Sequence, residues 1–210
     1  QESFESGEAI LTTLLDLLHV NFSEVKDMLL VEMRDIEGEI AYGGAAALRE
    51  GRKVGRVHLP EIRGYLWIKN MLKVGTDIIR TKRGRVTVWF EGGKIKTKVT
   101  SLNPLTFTIK GKAKGRIQEI NTSENFNRTS ALRELERRFA REVEKEIRQS
   151  LETSQQMGVD YCQMGNLLAA YHPDYWKKVK PHWRDRYWPR AKFNIDITVQ
   201  VRTGREYPGG

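Results

Sequence analysis

Four histidines, one cysteine and two runs of alternating lysines are the residues of this chain best placed to do chemistry. His19, His58, His172 and His182 stand singly, and no pair has the spacing of metal ligands. Cys-x-x-Cys, His-Glu-x-x-His, Gly-x-x-x-x-Gly-Lys and Gly-x-Ser-x-Gly are all missing, so zinc, phosphate-loop and serine-nucleophile chemistries have no signature here. Cys162, between Tyr161 and Met164 at the start of a short helix, is expected as a buried structural thiol rather than a nucleophile. No catalytic residue, metal ligand or cofactor is assigned.

The lysines are the stronger signal. Lys94, Lys96 and Lys98 alternate with Ile95, Thr97 and Val99, and Lys110, Lys112, Lys114 and Arg116 again take every second position. A strand period of two puts these seven cations on one face of two neighbouring strands, with Val99, Phe107, Ile109, Ala113 and Ile117 on the other, under the helices. Between Lys73 and Gln118 stand twelve basic residues and two acids, a local charge of +10; the chain totals +9, so the remainder sums to −1. Two readings compete. The face is either a solvated surface that discourages edge-to-edge aggregation, or an attachment surface for anionic headgroups, an acidic protein partner or nucleic acid. Nucleic acid is the weaker option, because it calls for exposed aromatics among the cations. Trp89 is near them, but Phe107 falls on the buried side.

The elements that position this face follow from periodicity. A short helix is expected over 8–18, and Asn21 or Ser23 is expected to cap a second helical turn leading to Met28 and Leu29. Residues 40–48 and 54–57 read as a hairpin turning at Gly51. Pro60 opens a helix whose Gly64, Trp67, Ile68 and Met71 form a stripe, Gly64 allowing close approach to a sheet. Strands are expected at 76–81, 85–91, 94–101 and 105–121, with turns at Arg83-Gly84, Gly92-Gly93 and Asn103-Pro104, which favours an antiparallel meander.

A long helix is expected over 123–157. Leu132, Leu135, Phe139, Val143, Ile147 and Leu151 form its apolar stripe, and Glu134–Arg138 and Glu144–Arg148 pair on its surface. Two shorter helices, 165–171 and 173–183, break at His172-Pro173, and 193–202 alternates cleanly as a closing strand. Tyr171, Tyr175, Trp176, Trp183, Tyr187 and Trp188 are expected to pack over the sheet, a partner groove or membrane-interface belt being the alternative. The expected fold is α+β: a mainly antiparallel sheet with a long helix and shorter helices on one face.

Composition agrees: 39% hydrophobic and 30% charged residues exclude disorder, and no window reaches the ~18 apolar residues of a membrane span. A single cysteine leaves the compartment open. Gln1, with neither Met nor leader, suggests a removed targeting segment or an excised fragment.

Several motifs, in order, resemble the C-subunit lipoproteins of nutrient germinant receptors in endospore-forming bacteria, the GerAC or Ger(x)C type. They are Gly44-Ala45-Ala46-Ala47-Leu48-Arg49, Glu61-Ile62-Arg63-Gly64-Tyr65-Leu66-Trp67-Ile68-Lys69-Asn70, the lysine-bearing strands, Tyr171-His172-Pro173-Asp174-Tyr175-Trp176-Lys177-Lys178 and Arg202-Thr203-Gly204. Ile62 stands where the family usually has Thr, and Leu48 where it has an aromatic. The resemblance implies residues 1–58 as the tail of a preceding α/β domain, 59–205 as the C-terminal domain and 206–210 as a flexible tail. It further implies a non-catalytic receptor subunit working with polytopic A and B subunits through protein–protein contacts. Its place would be the outer face of the spore inner membrane, lipid-anchored in the full-length protein. A basic nucleic-acid-binding module is the alternative.

Overall fold

The structure, a computed structural model, describes residue 10 and residues 12–203. The expected tail at 206–210 and residues 8, 9 and 11 of the helix expected over 8–18 lie outside them, while residues 10, 12 and 13 are not helical, because Thr13 caps a helix that starts only at Leu14. Helix α1 is Leu14–Asn21. Strands β1 (Asp27–Ile36), β2 (Glu39–Arg49) and β3 (Arg52–Val57) follow, then helix α2 (Leu59–Ile68). Strands β4 (Val74–Arg80), β5 (Gly84–Leu102) and β6 (Leu105–Thr122) precede the long helix α3 (Thr129–Met157). Helices α4 (Met164–Tyr171) and α5 (Pro173–Val179), three short helical turns and strand β7 (Lys192–Arg202) complete the chain.

Strands β1–β2–β3 form an antiparallel sheet, and β4–β5–β6–β7 a second sheet in which only the β6–β7 pair is parallel. A parallel pair needs a crossover; here it contains α3, whose Leu135, Phe139, Val143, Ile147 and Leu151 are at most 1% exposed. The α+β expectation holds.

Four further local expectations do not. Met28 and Leu29 belong to strand β1, not to a helical turn: Ser23 Oγ donates to the carbonyls of Val20 and Val25, turning the chain, and Leu29 registers with Ala47. Gly92-Gly93 is a bulge inside one continuous strand rather than a turn. The Gly92 amide donates to Lys73 O, and a Cβ on Gly92 would stand 1.7 Å from Leu72 O, so only glycine admits that backbone. The long helix starts at Thr129 because Asn125 Oδ1 accepts the Asn127 amide 3.0 Å away, holding residues 125–128 in a turn. Helix α5 ends at Val179, with Pro181 just beyond lacking the N–H that a further helical turn would use.

Gly64 does serve close approach, but to a helix instead of a sheet. A Cβ there would lie 2.0 Å from Glu146 O and 2.8 Å from Ser150 Cβ on α3. The same residue of α3 takes two more contacts from α2. Arg63 Nε donates to Glu146 Oε1 at 2.7 Å, and Trp67 Nε1 donates to Oε2 at 2.9 Å. Arg63 Nη2 also reaches both oxygens of Asp77 on β4, at 2.9 and 3.0 Å. Burial pushes the carboxyls of Asp77 and Glu146 upward, and the Arg63 guanidinium opposes it.

A second buried seam joins β1 to residues 160–184. Asp160 Oδ1 accepts the Met164 amide at 2.9 Å, and Oδ2 accepts the Gly165 amide at 2.7 Å and Trp183 Nε1 at 3.1 Å. The Asp160 amide donates to Asp27 Oδ2, and Arg184 closes the group with a 2.8 Å bond to Asp27 Oδ1. Trp176, Trp183, Trp188 and Phe193 then form a chain with centroids 5.3–5.8 Å apart, edge to ring at Trp176–Trp183 and Trp188–Phe193, ending with Phe193 stacked on Phe107 of β6. The three tryptophans are buried and Tyr175 and Tyr187 half-buried, as expected for packing over the sheet, but Tyr171, grouped with them, is 72% exposed.

Two measurements test this frame. Gly64→Ala should overpack the α2–α3 contact and lower the urea midpoint by the equivalent of about 1–3 kcal/mol without changing m. An unchanged midpoint would mean the helices are not in this contact. Burial raises the Asp160 carboxyl from 3.8 to about 7, against the three N–H donors that favour its charge. The folded chain therefore holds a proton that the unfolded chain releases, and this contribution to stability is full below 3.8 and lost as pH rises through about 7. The thermal midpoint should fall across that range more steeply in the native protein than in Asp160→Asn, whose amide does not titrate; parallel slopes would refute it.

Candidate functional site

All seven cations, Lys94, Lys96, Lys98, Lys110, Lys112, Lys114 and Arg116, are exposed. Ile95, Phe107, Ile109 and Ala113 on the reverse side are buried, and Val99 and Ile117 are half-buried. The alternation read in the sequence therefore sorts the two faces as expected. What the register adds is direct opposition: Lys94 pairs with Lys112, and Lys96 with Lys110. Like charges directly opposite on an antiparallel pair repel. The bulge at Gly92-Gly93 sets this register, because it shifts β5 by one residue between Glu91, opposite Lys114, and Lys94, opposite Lys112.

Strand β7 widens the face. Lys110, Lys112, Lys114 and Arg116 register with Asp196, Thr198, Gln200 and Arg202, and Lys192 also stands exposed on β7. Lys192 and Arg202 were not legible as members, because β7 lies some seventy residues further along the chain and its parallel pairing is set by the α3 crossover. Counter-charge is sparse. Among the described residues, Lys110 to Asp196 at 3.6 Å is the one ion pair made by the seven, and both partners are well exposed, so it contributes little.

Trp89 registers with Arg116, whose guanidinium carbon lies 4.5 Å from the indole centroid. That cation–π contact occupies the one aromatic face near the lysines. Two of the edge N–H groups of β7 are also engaged: Glu144 Oε1 accepts from Ile197 at 3.1 Å and Glu136 Oε1 from Val201 at 2.9 Å. Glu144 was expected to pair with Arg148 and instead serves the strand, whereas the Glu134–Arg138 pair forms at 3.0 Å.

Other chemistry finds little support. Among the described residues no cluster of His, Cys, Asp and Glu could hold a metal ion. Cys162 is buried, and burial drives its thiol well above the ordinary range, away from thiolate reactivity. A cavity of about 300 Å³ between α1 and α2 is lined by Asp16, His19, Tyr65, Lys69 and Gln163. Three of these groups already serve the fold, since Lys69 Nζ donates to Gln163 at 3.0 Å and Asp16 caps α1 through Thr13.

Residues 43–204 match the family described as "Spore germination B3/ GerAC like, C-terminal". Spore germination protein B3 of Bacillus subtilis (strain 168) is 28% identical over 180 residues, covering 82% of this chain and 47% of that protein. Spore germination protein YndF of the same strain is 26% identical over 198 residues, covering 91% of this chain and again 47% of the relative. The chain thus spans about half the length of these curated relatives. A crystal structure of the GerBC protein superposes with a TM-score of 0.73 at 24% identity, covering 83% of this chain and 56% of that one, which supports the fold.

The opposed lysines make a measurable claim. Neutralising one member of each pair, Lys96→Gln with Lys112→Gln, should raise the urea midpoint at low salt. Added salt should stabilise the native chain more than the variant. A lower midpoint in the variant, or equal salt responses, would show that the repulsion is not felt.

Proposed function

Because the chain belongs to the spore germination B3/GerAC-like C-terminal family, we propose that it acts as a non-catalytic subunit of a spore germinant receptor. It contributes to nutrient-triggered germination through protein–protein contacts with the receptor's A and B subunits. Family membership over residues 43–204 is the observation that carries the reading. The burial of Cys162, which keeps its thiol from thiolate reactivity, is consistent with it. Among the described residues no helix is long and apolar enough to cross a membrane. From the family resemblance, attachment is through a lipid-modified cysteine in the full-length protein, on the outer face of the spore inner membrane.

The proposal also divides the chain. Residues 1–58 are the tail of a preceding α/β domain and 59–205 the C-terminal domain. Distribution of apolar surface supports this division: of the thirteen exposed large hydrophobic residues among those described, nine lie within 1–58. Helix α1 has no buried residue, and Leu14 and Phe22 at its two ends are 72% and 84% exposed. Eight residues do not sustain a helix alone in water, so this face is one that protein covers. The seam through Asp27, Asp160 and Arg184 then fastens that tail to the C-terminal domain.

The nucleic-acid reading loses ground on geometry. Stacking platforms are what single strands require, and here Phe107 is fully buried while Trp89 is covered by Arg116.

Spores provide the test. In a strain stripped of other receptors of this kind, deleting the gene should abolish the response to at least one nutrient, and its return should restore it. The A and B subunits should co-purify with the full-length protein from spore membranes. Deletion spores that answer every nutrient at the native rate would overturn the proposal.

A further inference from the structure

We propose that the cationic face of the four-stranded sheet is a docking surface for an anionic lipid bilayer, held to the headgroups by electrostatics alone. The inference deepens the membrane-side placement proposed above and takes its biological meaning from it.

The composition of the face argues for lipid over protein. Six of its seven central cations are lysines, all exposed, alternating along β5 and β6. Cores of protein–protein interfaces are depleted of lysine and enriched in aromatics and arginine, and no large apolar residue stands between these lysines: from Lys94 to Thr100 and from Thr108 to Arg116 the outward positions hold only the cations and the two threonines, with Glu91 at the edge opposite Lys114. A compact ammonium on a long stem makes no bidentate fork, so it selects charge density rather than a shaped carboxylate partner. Headgroups present such a density as a plane, and a sheet face presents its cations as a plane.

Register supplies the second argument. Lys94 opposite Lys112 and Lys96 opposite Lys110 place four ammonium groups in two adjacent rows, with Asp196 paired to Lys110 and Glu91 at the margin opposite Lys114. That arrangement works against the folded chain in isolation, and a layer of anions relieves it. At one margin, half-buried Trp89 with Arg116 stacked on it stands beside Ile78, which is 61% exposed and registers with Thr87. Tryptophan beside an apolar side chain is the pairing that favours a headgroup boundary. Nucleic acid shares the phosphate chemistry, but its bases find no free aromatic platform here.

Vesicle co-sedimentation of the purified chain tests the assignment. It should bind vesicles with roughly a third phosphatidylglycerol in phosphatidylcholine and leave neutral vesicles in the supernatant. Binding should weaken steeply as salt is raised from about 0.05 to 0.3 M, because the Debye length shortens. The quadruple variant Lys94→Gln, Lys96→Gln, Lys110→Gln, Lys112→Gln should bind more than about a hundredfold more weakly, from roughly fivefold per lysine near an anionic surface. Neutralising Arg133, Lys145, Arg148 and Lys178 instead should leave binding within about threefold, since these lie off the face. Equal binding to neutral vesicles, equal losses in both variants, or tighter capture by single-stranded DNA or polyglutamate at the same salt would overturn it. The readout uses the isolated chain, so its failure leaves the receptor reading standing, and failure of the spore experiment leaves the vesicle result standing.

Discussion

Glu146 is the point on which the arrangement turns. Its carboxylate receives Arg63 and Trp67, and its backbone carbonyl sits where a side chain on residue 64 would be. The Glu61–Trp67 stretch, one of the motifs that carry the family resemblance, is thus a docking key for a single residue of the long helix. Arg63 extends the grip to Asp77 on β4, so one guanidinium fixes α2, α3 and the sheet together. Two carboxylates share that one cation in a largely buried place, a balance that removal of the arginine would turn into an uncompensated charge. With α3 pinned in this way, its apolar stripe lies over β5–β7, and the reverse side of the sheet is left for solvent.

The reverse side is where sequence and stability part company. A face needing only solubility would intersperse both signs, whereas this one sets lysine opposite lysine across two strands. The inner face shows how well the sheet is otherwise tuned, with Val86, Val88, Phe90, Phe107 and Ile109 all fully buried. Repulsion outside and close packing inside belong to the same strands, and the packing dominates. The sheet can therefore carry a charge pattern that it does not itself require.

Much of this was legible in the sequence, and the failures have particular causes. Period-two alternation located every member of the cationic face on β5 and β6, because alternation is local and survives any tertiary arrangement. Stripe spacing located α3 and its buried residues for the same reason. Gly92-Gly93 was misread because a turn and a bulge share residue types; what separates them is Leu72 O pressing on the backbone, a contact twenty residues distant. Strand β1 was missed because Met28–Val31 is a short apolar run without a decisive period, and the Glu37–Gly38 turn that pairs it with β2 carries positive φ at both residues. The partner of Gly64 and the role of Glu144 lay wholly in tertiary packing, beyond any local pattern.

The carboxylates of Glu136 and Glu144 on the amides of Val201 and Ile197 have a bearing on how the molecule can be assembled. Strand β7 is the last in its sheet, the position at which one protein commonly extends another by lending a strand. Here an incoming strand would find two of the donors it needs already engaged by the overlying helix, at a cost in lost bonds and displaced charge. Growth of the sheet past β7 is thereby discouraged, and association at this side of the molecule is steered toward the flat surface instead of the rim.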